Sequence, residues 1–292
     1  MSEPIALSAV RCSQCGGTVR TVPGARMPTC LFCGAPAVDL VPTAAPEGIE
    51  PPDGAIPFAI DEGAARAAFV AFAGSSFWYP NDLRSARLDL RPLLLPAWAW
   101  SGDVETHWTG LVSAGTRSGK RPVAGSDAAH FDQILVPASR TLRRSELTAL
   151  GRYDEATLAP YAVERADVPT ELSETTRSAA RAEGHAEMLD RHQRALQASH
   201  RLVSIRASSL ASELRGKPVL VPIYIGAFRY GKRTFRVLVN GQSGKLVGDA
   251  PFSWWKVAAI VVAVLGGLAA LLLCLGGGSM FAGIVGVIAD TR

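Results

Sequence analysis

The chain has 292 residues, 48% of them hydrophobic and only 19% charged, and its mean hydropathy is positive at +0.17. Val257 to Ala289 places 25 apolar residues in 33 positions without a charge, and the rest of the chain is then roughly 44% apolar, an ordinary globular value. This excludes a disordered, collagenous or multi-span chain and leaves a mostly soluble body with one hydrophobic end; 30 Lys and Arg against 26 Asp and Glu, a net +4, give no strongly basic surface.

Four of the five cysteines fall in the first 33 residues, as Cys12-Ser-Gln-Cys15 and Cys30-Leu-Phe-Cys33 with fourteen residues between the pairs. A two-residue step bends the backbone so that both thiolates converge, and Gly16 and Gly34 relieve the tight turns. Four thiolates close a tetrahedron around Zn2+ with no open position, so Cys12, Cys15, Cys30 and Cys33 predict a structural zinc ribbon over residues 1–40. Disulfides and a redox pair are the rival readings. The first ten residues lack a basic start and a long apolar core, which argues against a secretory signal and an oxidising compartment. Arg11, Arg20 and Arg26 against Glu3 and Asp39 leave the ribbon without the basic footprint of nucleic-acid binding, so nucleic acid is the disfavoured partner.

Residues 41–57 carry five prolines, from Pro42 to Pro57, and read as a semi-extended linker. A helix is expected from an Asp61 N-cap to Gly74, burying Ala65, Ala68, Phe69, Phe72 and Ala73. The aromatic run Phe77-Trp78-Tyr79-Pro80 is expected to pack against it. Leu93 to Trp100 and Val104 to Val112 read as a hairpin around Ser101-Gly102, with Val104 and Trp108 on one face and Asp103, Glu105 and His107 on a solvated other. Neither Thr116 to Pro122 nor Asn240 to Lys245 completes a phosphate-loop pattern.

Glu171 to Ser199 is a charged helix with Ala182, Leu189 and Leu196 at heptad spacing, too polar between them for a coiled coil, and it is expected to pack on a sheet. His185, His192 and His200 read as part of its solvated face. Leu220 to Tyr230, Thr234 to Asn240 and Lys245 to Val247 predict an antiparallel meander turning at Gly231 and at Asn240-Gly241. The phrases Leu95-Pro96-Ala97-Trp98 and Val221-Pro222-Ile223-Tyr224 each look like the opening of a hairpin.

Val257 to Leu275 is nineteen uncharged residues, about 28 Å as a helix, the thickness of a hydrocarbon core. Trp254, Trp255 and Lys256 form the collar expected at a membrane interface. Residues 281–289 are too short for a second helical crossing. Between Arg215 and Lys256 eight cations face one acid, Asp249, so the positive flank predicts an amino-terminal body in the cytoplasm, single-pass in the inner membrane. Arg229, Lys232, Arg233 and Lys256 are then candidates for anionic lipid headgroups.

Taken with the cysteines, the segments Ile56-Pro57-Phe58, Trp78 to Leu83, Leu95 to Trp98, Trp108-Thr109-Gly110, Phe131 to Ser139, Pro160-Tyr161, and Phe228-Arg229-Tyr230 through Leu238 to Gly244 resemble a family of bacterial TFIIB-type zinc-ribbon-containing proteins, some labelled primosomal helicase-like. Gly248, Pro251, Ser253, Trp255 and Lys256 extend the match; residues 113–130 and 162–200 match poorly, and Ser243 stands where the family more often has Thr. The resemblance implies an architecture and no reaction. No Walker motif accompanies the helicase label. The expectation is therefore an α+β chain: ribbon 1–40, linker 41–57, a central antiparallel-sheet domain with helices over 58–251, and a transmembrane anchor with a short tail over 252–292. Its expected role is that of a membrane-anchored adaptor or scaffold for a protein partner, with self-association open. A nucleic-acid-binding ribbon or a hydrolase with its site in the central domain are the alternatives.

Overall fold

The computed structural model describes residues 8–21, 30, 32, 39–40, 48–115, 119–139, 141–161, 168–231 and 233–289. Its strands are β1 (Ser8–Arg11), β2 (Thr18–Thr21), β3 (Asp39–Leu40), β4 (Gly54–Ala55), β5 (Asp89–Ser113), β6 (Lys120–Pro137), β7 (Thr170–Glu171), β8 (Leu202–Tyr230), β9 (Arg233–Asn240) and β10 (Leu246–Gly248). Its helices are α1 (Glu62–Ala73), α2 (Arg144–Leu150), α3 (Arg177–Ser199) and α4 (Trp254–Ala289). The chain divides into two compact units, a core unit of Met1–Phe69 with Ala86–Asp249 and a second of Val70–Ser85 with Ala250–Arg292. The fold is α+β, with one large sheet, an amino-terminal cysteine cluster and one apolar carboxyl-terminal helix.

The sheet of the core unit runs in the order β10-β9-β8-β5-β7-β2-β1-β3, with β4 beside β8 and β6 beside β5. The antiparallel pairing of β5 with β8, from Asp89 opposite Ala227 to Val112 opposite Leu202, is its spine. Leu90 to Trp100 reads as a near-continuous apolar run because both faces of the sheet are covered there. Alternation then sorts the residues: Leu93, Leu95, Ala97 and Ala99 join Val221 and Ile223 and the α2 residues Leu147 and Leu150 in one core. Trp98, Trp100 and Val104 join Ile134, Val136 and the α3 residues Ala180 and Met188 in the other.

The Ser101-Gly102 hairpin is not formed. β5 continues through it, and the register slips against both β6 and β8, which marks a bulge. Gly102 lacks the positive φ that a two-residue hairpin turn requires, and it lets the Ser212 carbonyl come so close that a Cβ would lie 3.0 Å from it. The two Pro-containing phrases each open a hairpin, β5-β6 with Trp98 opposite Val136 and β8-β9 with Tyr224 opposite Val239, and they also face one another across the spine, Leu95 opposite Val221 and Pro96 opposite Leu220. The meander β8-β9-β10 is as expected. Its last turn is held by Asn240, whose buried Oδ1 accepts from the amides of Gln242 at 2.8 Å and Ser243 at 3.0 Å, and the positive φ falls on Gly244 rather than Gly241.

The Asp61 N-cap is present, its Oδ1 accepting from Ala64 N at 2.7 Å, and α1 buries Ala65, Phe69 and Ala73. By contrast α3 begins six residues later than expected. Thr176 caps it, while Glu171 belongs to β7. Its inner stripe is Ala180, Gly184, Met188, His192 and Leu196, stepping by four, rather than the heptad of Ala182, Leu189 and Leu196. Small Ala and Gly allow close approach to the sheet, which outweighs the larger Leu189, only half-buried beside it.

Two corrections concern domain organisation. β2 pairs antiparallel with β7 (Val19 opposite Glu171), and β7 pairs with β5, so the ribbon strands extend the sheet of the body instead of forming a detached module. The second half of the expected linker is also docked. Gly54-Ala55 pairs in parallel with β8, and Glu50 receives a bidentate Arg177 at 2.6 and 2.7 Å while the same guanidinium lies 5.0 Å over the Trp98 ring. Proline-rich backbone is already extended, so it loses little entropy when it lies along a strand edge. Residues 41–47 lie outside the described part.

Candidate metal centre

β1 ends at Arg11 and the chain turns back at once. Gly16 N donates to Cys12 O at 2.9 Å, Cys12 N donates to Gly17 O at 2.9 Å, and Gly16 takes a φ of 74° that a side chain would resist. This knuckle brings Cys12 and Cys15 to one side, where Cys30 meets them: the three sulfurs all lie within 4.8 Å of one another, and Cys15 and Cys30 Sγ are 3.6 Å apart. A disulfide requires about 2.05 Å, so the sulfurs are set as a ligand cluster and not as a bridge. Cys33, the expected fourth ligand, lies outside the described residues. Burial pushes the Cys12 thiol up, but hydrogen bonds from the Cys15 and Gln14 backbone and from the Cys30 and Cys15 thiols outweigh it and bring the pKa from 9.0 to about 7. The arrangement can release a proton and take a soft or borderline metal ion, and among the described residues it is the one cluster of three or more ligating side chains.

The centre is anchored in the body's core. Buried Cys12, Cys30, Val19 and Phe32 belong to the same cluster as Leu93, Leu95 and Ile223. Phe32 presses so closely on Gly17 that a Cβ there would fall 2.4 Å from its ring. Beside this contact lies a residue that sequence reasoning missed as anything but a helix start. Glu171 is 4% exposed, and Thr141 Oγ1 lies 2.8 Å from both of its carboxyl oxygens. Burial raises its pKa from 4.5 to about 7, opposed by hydrogen bonds from Ser139 and Thr141 and assisted by the charge of Glu174. The signal was Val168-Pro169-Thr170, a β-branched and proline-bearing run that favours extended backbone over helix.

A carboxyl group whose folded pKa lies above its unfolded one binds more protons folded than unfolded. Stability is therefore complete near pH 4.5, declines as pH rises towards 7, and is flat above, the loss being on the order of 3 kcal/mol. Glu171→Gln should remove that slope and make the core unit more stable than the parent at pH 8 but not at pH 5. Thermal melts at the two pH values check this, and equal slopes would show that Glu171 ionises freely.

Next to the ribbon junction is a cavity of about 230 Å³ lined by Arg20, Glu50, Trp98, Tyr161, Leu172 and Val219 among others. Its polar groups are largely engaged with protein: Tyr161 Oη meets Thr170 Oγ1 at 2.5 Å and Glu50 is held by Arg177. The other sequence candidates separate. Glu105 and His107 are exposed on the outer face of β5 as expected, and Asp103 is taken by His130 at 2.7 Å. The His stripe divides. His200 meets Asp127 at 3.3 Å and leans on Trp108, His185 is half-buried, and His192 is buried against Phe131 with no partner for Nε2 among the described residues, contrary to a solvated face.

The basic stretch before the apolar helix is also less free than its sequence suggests. Arg215 pairs with Glu213, Lys217 with Glu155 at 2.7 Å, and Arg236 with Glu146. Arg233 lies 5.5 Å over Phe235, Arg229 donates to Gly231 O, and Lys232 lies outside the described residues. Acids far away in sequence, Glu146 and Glu155, neutralise cations that a linear count treats as surplus. No protein-family model, no curated protein and no solved structure matches the chain.

Proposed function

We propose that the protein is a membrane-anchored, non-enzymatic adaptor of the zinc-ribbon type, resembling the TFIIB-type ribbon family, with Cys12, Cys15, Cys30 and Cys33 holding a structural Zn2+. The observation that carries this reading is the three-sulfur cluster continuous with the body's sheet, in a chain that ends in a helix of mean hydropathy 2.2 over Trp254–Leu272. An all-thiolate set leaves no open coordination position for substrate, which favours a structural over a catalytic ion. The body is placed in the cytoplasm because thiolate sites persist in reducing compartments and positive flanks stay inside. With the ribbon fused to the sheet, its outer strands β1 and β3 form the end of a rigid platform for a protein partner.

Crosslinking the full-length protein in membranes, parent against Cys15→Ser, tests the reading. A defined partner captured by the parent and lost with the metal supports an adaptor, and a partner retained in full without the metal argues against it. Metal content measured on the same samples should be one zinc per chain. Deleting residues 252–292 should yield a soluble core unit; continued membrane pelleting would show that α4 is not the anchor.

A further inference from the structure

The aromatic run at Phe77 is expected from sequence to pack inward on α1, and only its last member does so: Tyr79 meets Phe72 at 5.5 Å. Phe77 remains 62% and Trp78 40% exposed. Both are fastened to the foot of α4 in the same unit. Lys256 Nζ donates to Phe77 O at 2.8 Å, Tyr79 O at 2.7 Å and Asn81 Oδ1 at 2.8 Å, and sits 5.0 Å over the Phe77 ring. Ser253 N donates to Trp78 O at 2.9 Å, and the Trp78 ring stacks on Phe252 at 5.5 Å with 13° between planes. Phe252 in turn meets Trp254 at 5.7 Å. An ammonium has three donors, and here all three go to protein oxygen. Lys256 is thus a clamp and not a cation held out to a headgroup.

We infer that Phe77, Trp78, Phe252, Trp254 and Trp255 form one aromatic platform that lies in the headgroup boundary of a lipid bilayer, with Lys256 as the internal clamp that fixes the loop to the helix. The inference rests on the reading of α4 as a membrane anchor. Trp254–Leu272 spans nineteen residues, about 28 Å, so a helix that fills the hydrocarbon core brings its first turn, and whatever is pinned to that turn, to the interface. Indole, an apolar ring with one N–H, settles at that depth, and phenyl rings beside it add apolar area to the acyl boundary. The occupant is lipid because the exposed rings continue the exposed apolar surface of Ile260, Val261 and Val262 on the same helix, and Lys256, the one charged residue in the sequence from Ala250 to Ala289, is clamped. A loop whose acceptors Phe77 O, Trp78 O, Tyr79 O and Asn81 Oδ1 are already bonded also costs little to desolvate.

The test uses the full-length protein in bilayer discs of phosphatidylcholine brominated near the headgroup end of the acyl chain. Trp98, Trp100 and Trp108 are 1, 2 and 6% exposed and lie beyond contact quenching, so Trp254→Phe/Trp255→Phe leaves Trp78 as the reporter. The expected result is a loss of emission in this double variant that disappears when Trp78→Phe is added. Absence of that loss, while Trp78→Phe alone is still quenched through Trp254 and Trp255, overturns the platform and leaves the anchor standing. No quenching in any variant, with release of the protein by alkaline carbonate, overturns the anchor and the platform with it. Lys256→Met should reduce Trp78 quenching without releasing the protein from membranes; undiminished quenching refutes the clamp.

Discussion

Removing the zinc proposed for the cysteine cluster, by chelation or by Cys12→Ser in the full-length protein, is expected to lower the melting of the whole core unit instead of releasing the ribbon alone. A detached ribbon on a flexible tether would unfold by itself. Here β2 is hydrogen-bonded to β7, β7 to β5, and Cys12, Cys30 and Phe32 share one apolar cluster with Leu93, Leu95 and Ile223. The free energy of binding a structural zinc is about 10–16 kcal/mol in isolated ribbons and fingers, against a domain stability of about 5–15 kcal/mol. Its loss would leave buried Cys12 and Cys30 without the ion that ties them to Cys15. The measurement is circular dichroism melting in mild detergent with and without chelator, paired with hydrogen exchange of the β5 and β8 amides. A body that keeps its melting temperature and its protected spine after the metal is gone would refute the coupling.

How far the chain could be read in advance depends on whether a signal was local. The Cys12–Cys15 knuckle, the Asp61 cap, the β9 alternation and the apolar helix are each decided by residues close together in the chain, and each is where the sequence places it. The failures at Ser101-Gly102, Glu171 and Arg236 involve partners far along the chain. Ser101-Gly102 looks like a turn until β8 is known to run alongside it. Glu171 looks like a helix start until β2 claims it as a strand partner. The apparent basic surplus near Arg236 disappears once Glu146, ninety residues earlier, is placed beside it. The convergence of Cys12, Cys15 and Cys30 was legible from spacing alone, whereas the union of ribbon and body was not, because β7 is only two residues long and carries no periodicity.

Trp100→Ala should be among the most damaging single changes in the core unit, at about 3–5 kcal/mol, because the indole is the spacer between α3 and the spine. It is 2% exposed, stacks on Trp98 at 5.8 Å, and lies between two glycines: a Cβ would come within 2.9 Å of its ring from Gly184 and within 2.5 Å from Gly216. Neither glycine is at positive φ, so both are there for proximity rather than for backbone freedom. Gly216→Ala should therefore cost at least the about 1–3 kcal/mol of an overpacked site, since the ring it meets has no room to move. The two changes should not add. With the indole gone the new methyl group occupies part of the space it leaves, and the double variant should be more stable than the sum of the singles. Trp100→Phe has a separate expectation. Nε1 has no hydrogen-bond partner among the described residues, so the phenyl ring loses area but also removes a desolvated donor, and the cost should stay below about 1.5 kcal/mol. Urea midpoints at unchanged slope distinguish these outcomes. Additive losses for Trp100→Ala and Gly216→Ala, or a Phe variant as unstable as the Ala variant, would mean that the ring is not the wedge that sets the distance of α3 from the sheet.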